Sequence, residues 1–488
     1  MKSRLLVFCL VSFCYSVLHA QTKPAAPALP KNINITLTPL KNCKIYLGSN
    51  YGKSQVIADS ALLDATGKGA FKGKTKLTPG IYFVVSPNYT IQFEILVGKN
   101  QNFSIKGDTT QKDKVVITGS ADNDLFKQYS AFTTERGQKL NLLTQQLAVA
   151  RNKADSSNIQ KQMATLNNEI QQYRNKIIKE NKSSLLATLL AAMRRPEVPA
   201  IPVINGKADS TYPYRFVKEH YWDDVAFNDN SLLRTPFFEP KLDDYYKYYV
   251  SPEPDSIIKE VNYMLLFART GKEIYPYLLT KFTNKYMNPE YMGQDKVFLF
   301  LFENFYLKGD TTYLTAAGRK TVTERAYSMM ANQVGNPAAP LDLVDTTGKT
   351  NALYDLKGAF TVVIFWDPTC GHCKEELPRV DSIYKAKWKA LDVKLYAVNI
   401  HENYMKELKQ FVADKHFSTD WVHVYQTDAA LKAEQQAGKP NYRQLYDVSK
   451  TPTMYLLDSE KRIIGKQLSI EQFDDLIAAK LKQKNSGK

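Results

Sequence analysis

Cysteine is scarce in this chain: five occur in 488 residues, and Cys9 and Cys14 fall within the first 20. So thin a supply excludes a small fold stapled by disulfides. Beyond residue 20 no apolar run approaches the ~20 residues that cross a bilayer, so no transmembrane segment is expected there. Lys and Arg outnumber Asp and Glu by 65 to 49, a formal charge of +16, yet they form no basic run interleaved with aromatics. That excludes the usual way of tracking a nucleic-acid backbone and leaves a solvated basic surface. Core material is ample, at 44% hydrophobic and 12% aromatic residues. The length exceeds what one core holds and suggests roughly three domains.

The first 20 residues read as a secretory signal: Lys2 and Arg4, an apolar run from Leu5 to Leu18, then His19-Ala20 before Gln21. Cys14 follows Val-Ser-Phe, which lacks the small residues expected before a lipidated cysteine. Cleavage after Ala20 is therefore expected, with the mature protein in the periplasm or cell envelope. It would keep only Cys43, Cys370 and Cys373. A pair at two-residue spacing in so cysteine-poor a chain points to reactivity. Cys43 alone in a strand-rich region reads as a small buried apolar residue, with a regulatory or intermolecular disulfide as the alternative.

Residues 21–32, rich in Ala, Pro and Lys, read as a flexible lead-in. From 33 to 120, alternating runs such as Ile33–Leu37, Ile81–Val85, Ile91–Val97 and Val115–Thr118 are broken by Gly and Pro, which predicts an all-β sandwich. Over 121–183 the period lengthens. Ile159, Met163, Leu166, Ile170, Tyr173 and Ile177 alternate steps of four and three, a coiled-coil seam. Asp155–Asn158 between two such stripes predicts the turn of a helical hairpin. Residues 184–333 are Tyr-rich and helical in pattern, and His220 beside Tyr221 and Trp222 reads as packing or surface. Residues 334–340 read as a linker into a last, α/β domain over 341–483.

That domain carries the chemistry. Thr361–Trp366 is an apolar run fit for a buried strand, and Asp367-Pro-Thr-Cys370-Gly371-His372-Cys373 follows at once, opening a helical pattern. A cysteine at a helix start faces unpaired N–H groups and the positive end of the dipole, and both stabilise the attacking thiolate. Cys373, three residues on, shares its helical face and can resolve a mixed disulfide by exchange. His372 adds a partly positive neighbour. One CxxC supplies two of the four ligands zinc needs, so no metal is expected. Haem attachment would need His where Lys374 stands, and peroxide reduction a Thr or Ser where Asp367 stands.

Phe365-Trp366 before the first cysteine, Glu376 and Pro378 after the second, and Thr451-Pro452 further on together resemble the TlpA/ResA-like branch of the thioredoxin family. The stretch ending Thr118-Gly-Ser-Ala-Asp-Asn123 resembles the β-domain at the front of many exported thioredoxin-like proteins of Bacteroidetes-type bacteria, and a helical domain precedes the thioredoxin module in the same proteins. The resemblance implies a C-terminal thioredoxin fold with Cys370 as nucleophile, Cys373 as resolving thiol and Pro452 as a cis-proline in the substrate groove. Trp366, Gly371, His372 and Thr451 make the surroundings, and Glu376 is the candidate for proton handling. No cofactor is implied beyond a redox-active Cys370–Cys373 disulfide. The partners implied are exported proteins with thiols or disulfides and an upstream thiol donor. Two departures stand out. Thr369 replaces a Trp common in relatives, and Ile364 stands where cytoplasmic thioredoxins bury an Asp. The Gly-His dipeptide resembles that of more oxidising isomerases, which leaves direction open between reductase, oxidase and isomerase. A client-binding envelope protein with a vestigial redox module is the non-enzymatic alternative. The front segments could select clients, hold two copies together through the helical region, or act as a spacer.

Overall fold

The computed structural model describes residues 31–486. The signal reading, Cys9, Cys14 and most of the lead-in lie outside the described residues. The chain divides into two compact units, one reaching Leu190 and taking in Arg234–Pro236, the other made of Ala191–Leu233 and Phe237–Lys488.

The first unit opens on eight strands: β1 Lys31–Thr38, β2 Lys44–Tyr51, β3 Ser54–Leu62, β4 Lys68–Gly73, β5 Gly80–Val85, β6 Ile91–Val97, β7 Asn102–Asp108 and β8 Gln111–Thr118. They form two four-stranded sheets in the orders β4-β1-β7-β8 and β3-β2-β5-β6, the sandwich that the alternation implies. Ile33, Ile35 and Leu37 of one sheet meet Ile45, Leu47, Val84 and Ile95 of the other in a single core. Cys43, half-buried, packs against that core. Helices α1 Ala121–Val149 and α2 Lys153–Glu180 follow as a hairpin. Tyr173 of the expected seam stacks on Phe132 with ring centroids 4.1 Å apart, and Arg136 pairs with Glu169 at 3.0 Å. The turn lies earlier than the sequence suggested. Asn152 caps α2 by accepting the Asp155 N–H at 2.8 Å, so Asp155–Asn158 begin the helix. An amide cap with an acid three residues on is a strong helix start, and it outweighs the turn tendency of Asp-Ser-Ser-Asn.

Helix α3 Leu185–Met193 leads on to the small β9 Val203–Ile204 and β10 Lys207–Ala208 ladder of the second unit. Then come α4 Tyr212–His220, α5 Phe238–Tyr248, α6 Pro254–Ala268, α7 Ile274–Met287, α8 Asp295–Leu301 with a π-helical turn at Phe302–Tyr306, and α9 Ala316–Met330. His220 pairs with Asp223 at 2.7 Å on the surface. The last domain is a seven-stranded sheet, β12-β11-β15-β14-β13-β16-β17. Its strands are β11 Asp342–Asp345, β12 Thr350–Ala352, β13 Phe360–Trp366, β14 Val393–Asn399, β15 Val422–Tyr425, β16 Thr453–Asp458 and β17 Ile463–Lys466. The helices are α10 Gly371–Ala386, α11 Met405–Asp414, α12 Asp428–Gln436, α13 Tyr442–Leu445 and α14 Ile470–Ser486. The central β13 runs parallel to β14 and antiparallel to β16, and all seven of its residues are buried. A strand covered on both faces must be apolar throughout, as Phe-Thr-Val-Val-Ile-Phe-Trp nearly is. Residues 334–340 do more than link. The Gly335 N–H donates to the Ile463 carbonyl at 2.7 Å, and the Ala338 N–H to that of Lys461 at 2.8 Å.

Candidate redox site

The polar sequence after Trp366 ends β13 and forces a tight turn. The Asp367 carboxylate accepts the Thr369 N–H and hydroxyl, both at 2.7 Å, an Asx-turn. The Asp367 carbonyl accepts the Cys370 N–H at 3.1 Å. Cys370 is thereby delivered as the N-cap of α10 with extended backbone, and no side chain caps the helix. The first turn holds no acidic residue. The free N–H groups and the positive helix end are therefore left to the sulfur.

The two thiols differ sharply. Cys370 is half-exposed, whereas Cys373 is fully buried in the core that also holds Trp366, Leu377 and Val380. Partial burial alone would raise the Cys370 pKa. Hydrogen bonds from the Thr451 side chain, the Cys373 backbone and thiol, and the His372 backbone outweigh it, and the thiol is held below its ordinary value. Burial instead pushes Cys373 up to about 12, despite a hydrogen bond to its sulfur from the Asp367 N–H at 3.5 Å. The Cys370 thiol donates to the Thr451 carbonyl at 3.5 Å, and the Thr451–Pro452 peptide is cis. Thus the structure brings Cys370, Cys373, Thr451 and Pro452 together at the C-terminal end of β13 and the start of β16.

Gly371 and His372 are exposed between the cysteines. A Cβ on Gly371 would meet nothing within 4 Å, so the fold itself does not demand glycine there. Trp366 is fully buried behind the turn, with its indole Nε1 lacking a partner. Glu376 is half-buried and bound to Arg379 at 2.6 Å; Arg379 also reaches Glu471 at 2.6 Å. That pairing ties its carboxylate to the helix surface.

Sequence reasoning missed the roles of two residues here. Asp367 holds the turn, and its carboxylate lies 3.6 Å from His401 Nε2. The Asp-Pro-Thr signature was its available signal. His423 stacks on Trp421 at 5.5 Å and lies 6.4 Å from the Trp366 ring, with neither ring nitrogen hydrogen-bonded. Alternation with Trp421, the residue just before β15, would have turned it inward. Among the described residues no three His, Cys, Asp or Glu side chains converge as metal ligands would, and no helix is long and apolar enough to cross a membrane.

Residues 334–465 match the AhpC/TSA family, residues 32–126 a domain of unknown function (DUF4369) and residues 152–311 another (DUF5106). The thiol-disulfide oxidoreductase ResA of Bacillus subtilis is 29% identical over 148 residues, covering 30% of this chain and 69% of that protein. ResA of Geobacillus kaustophilus is 26% identical over 164 residues, 33% of this chain and 86% of that protein. A domain of a possible thiol-disulfide isomerase from Cytophaga hutchinsonii is 30% identical, covering 31% of this chain and 96% of that one, with a TM-score of 0.27. A thioredoxin-like protein from Bacteroides caccae is 18% identical, covering 58% of this chain and 98% of that one, with a TM-score of 0.44. Through its C-terminal domain this chain belongs to the TlpA/ResA-like branch of the thioredoxin family, and it is a thiol–disulfide oxidoreductase.

Proposed function

We propose that Cys370 and Cys373 are the exchanging pair and that the protein reduces disulfides in exported proteins outside the cytoplasm. The observation that carries this is the asymmetry of the two sulfurs. Cys370 is accessible with its thiol held low, while Cys373 is buried with its thiol pushed up to about 12. A nucleophile must meet a large substrate as a thiolate, whereas a resolving thiol should stay protonated until needed.

In the first step the Cys370 thiolate attacks one client sulfur. A Cys370–client disulfide forms, the client disulfide breaks, and one client thiolate leaves to take a proton. Negative charge on Cys370 is one of the influences that raise the Cys373 pKa, and the mixed disulfide removes it. Cys373 can then ionise and attack the Cys370 sulfur. The Cys370–Cys373 disulfide forms, the second client thiol departs, and two electrons have passed to the client. An upstream thiol donor restores the dithiol. Glu376, one helical turn beyond Cys373, is our assignment for receiving the Cys373 proton. Pro452 and Thr451 line the groove for the client backbone. The basic, apolar start of the sequence supports export to the cell envelope.

Replacing Cys370 by Ser is expected to lower insulin reduction by about a thousandfold or more, and Cys373→Ser to accumulate mixed disulfides with clients. Retained turnover in Cys370→Ser would overturn the assignment. Direction is decided by the reduction potential of the pair. A value near about −270 mV supports a reductase, and one near about −120 mV makes the protein an oxidant.

A further inference from the structure

The helical region from Ala191 onward and the redox domain lie in one unit, and several of the bonds between them flank one segment. Arg325 of α9 forms an ion pair with Asp447, and its Nε donates to the Met287 carbonyl at 3.0 Å. Asn332, just beyond α9, donates from Nδ2 to the Leu445 carbonyl at 3.2 Å. On the other side of the segment, Lys466 of β17 is buried, and its ammonium meets the Asp295 carboxylate of α8 at 2.5 Å. It also donates to the Asn332 carbonyl at 3.0 Å and side-chain oxygen at 2.8 Å. Gln333 reaches the same Asp295 oxygen at 2.5 Å.

These contacts enclose residues 445–454 at both ends. Leu445 and Asp447 stand at the start, and the next residues are those of the Thr451–Pro452 turn facing Cys370. At the far end the Gln467 N–H, next to Lys466, donates to the Met454 carbonyl at 3.0 Å. The gap left between the partners is a cavity of about 60 Å³ lined by Asp295, Arg325, Asp447 and Lys466. That is room for a water or two and no organic ligand. The arrangement is a fastening, built from charges that would each cost dearly to bury alone.

We propose that the helical region is part of the redox apparatus, with Arg325, Asn332 and Asp295 acting as positioning residues that fix the 445–454 segment and so the client groove opposite Cys370. This rests on the reading of Cys370 as nucleophile. It gives the helical region a task in exchange that a spacer would not have. The segment contains Asp447 with φ 48°, and the Thr453 hydroxyl donates to the Lys450 carbonyl at 2.6 Å. A groove that must accept an extended chain against the attacking sulfur depends on placement to within a fraction of an ångström.

The test uses the full chain with Arg325→Gln, Arg325→Lys and Asp447→Asn. None strands the Lys466–Asp295 pair, and an asparagine tolerates the left-handed backbone at position 447. Two readouts are compared: KM and kcat for insulin, and alkylation of Cys370 by iodoacetamide at pH 7, followed by mass spectrometry. Arg325→Gln and Asp447→Asn are expected to raise KM about tenfold with a smaller change in kcat. They should also slow alkylation about threefold as the hydrogen bond from the Thr451 side chain, which favours the Cys370 thiolate, loosens. The Arg325→Lys chain should stay close to the native values. Folded variants with native KM and native alkylation overturn the proposal, as does an Arg325→Lys chain impaired as much as Arg325→Gln. If the native chain does not reduce insulin, the assignment of the dithiol fails instead, and alkylation, which needs no turnover, still judges the fastening.

Discussion

Two helix starts in this molecule follow opposite plans. At the start of α1, Ser120 accepts the Asn123 N–H at 3.3 Å and its side-chain amide at 2.8 Å. The Asn123 side chain in turn exchanges bonds with the Leu96 N–H and carbonyl, both at 2.8 Å, and Asp122 and Asp124 sit in the first turn. A side-chain cap and first-turn acids are both used. At the start of α10 neither is: Cys370 gives no cap, and the first turn holds no acid. A helix that only needs to begin is closed by acceptors, which typically contributes about 1 kcal/mol. A helix that must stabilise a transient thiolate keeps its donors and its positive end free for the sulfur.

The comparison breaks most visibly if α10 is given what α1 has. His372→Asp places a carboxylate in the first turn, where it competes for the N–H groups and repels a thiolate. Alkylation of Cys370 at pH 7 should fall about tenfold, while thermal stability holds or rises. The mirror change, Ser120→Ala in α1, should cost about 1 kcal/mol by urea titration and leave alkylation untouched. If His372→Asp leaves the thiol as reactive as before, the open helix start is not what activates Cys370.

A second polar group left without partners lies in the redox domain. His423 is pressed between aromatic rings, and burial lowers its pKa to about 4. An unfolded His titrates near 6.5. The unfolded chain therefore binds the proton first, so the stability contributed by the neutral ring is complete above about pH 6.5 and is lost as pH falls towards 4. Its size is up to about 3 kcal/mol. The His423→Phe chain should lose less stability than the native one between pH 6.5 and 4 in urea titrations. Parallel acid limbs for the two chains would mean that the ring is more solvated than its missing partners imply.

The legible parts of this molecule are those where one pattern decides one structure. The unbroken apolar run 360–366 could only be a strand covered on both faces, and the alternation of Ile33, Ile35 and Leu37 only a strand covered on one. The placement of Cys370 and Cys373 at a strand-to-helix turn was legible because their spacing, the strand before them and the helix after them all agree. The hairpin turn was misplaced because Asp-Ser-Ser-Asn favours turns and helix starts alike, and only the Asn152 cap decides between them. The fastening of the helical region escaped altogether. Asp295 and Lys466 lie 171 positions apart, and no local periodicity marks a charge pair that forms between domains. His423 carried a short local signal, its alternation with Trp421, but which face of the sheet is covered decides its inward direction.

Glu376 offers the smallest effect and the finest test of the difference between the helix starts. It lies beyond the first turn of α10, where its charge has little hold on the free N–H groups, and its carboxylate is bound to Arg379 at 2.6 Å near the surface. An ion pair of that kind contributes at most about 1 kcal/mol. Two influences on the sulfurs can then be separated by sign. As a mere negative charge, Glu376 disfavours the Cys370 thiolate, so Glu376→Gln would make alkylation slightly faster and exchange no slower. As the acceptor of the Cys373 proton it would matter only in the resolving step. Glu376→Gln would then slow exchange about threefold with Cys370 alkylation held within a factor of about two. The second pattern is the expected one, measured as single-turnover release of the client thiol from a Cys370 mixed disulfide. Equal rates in the native and Glu376→Gln chains would leave water to take the proton of a thiol that burial has pushed up to about 12.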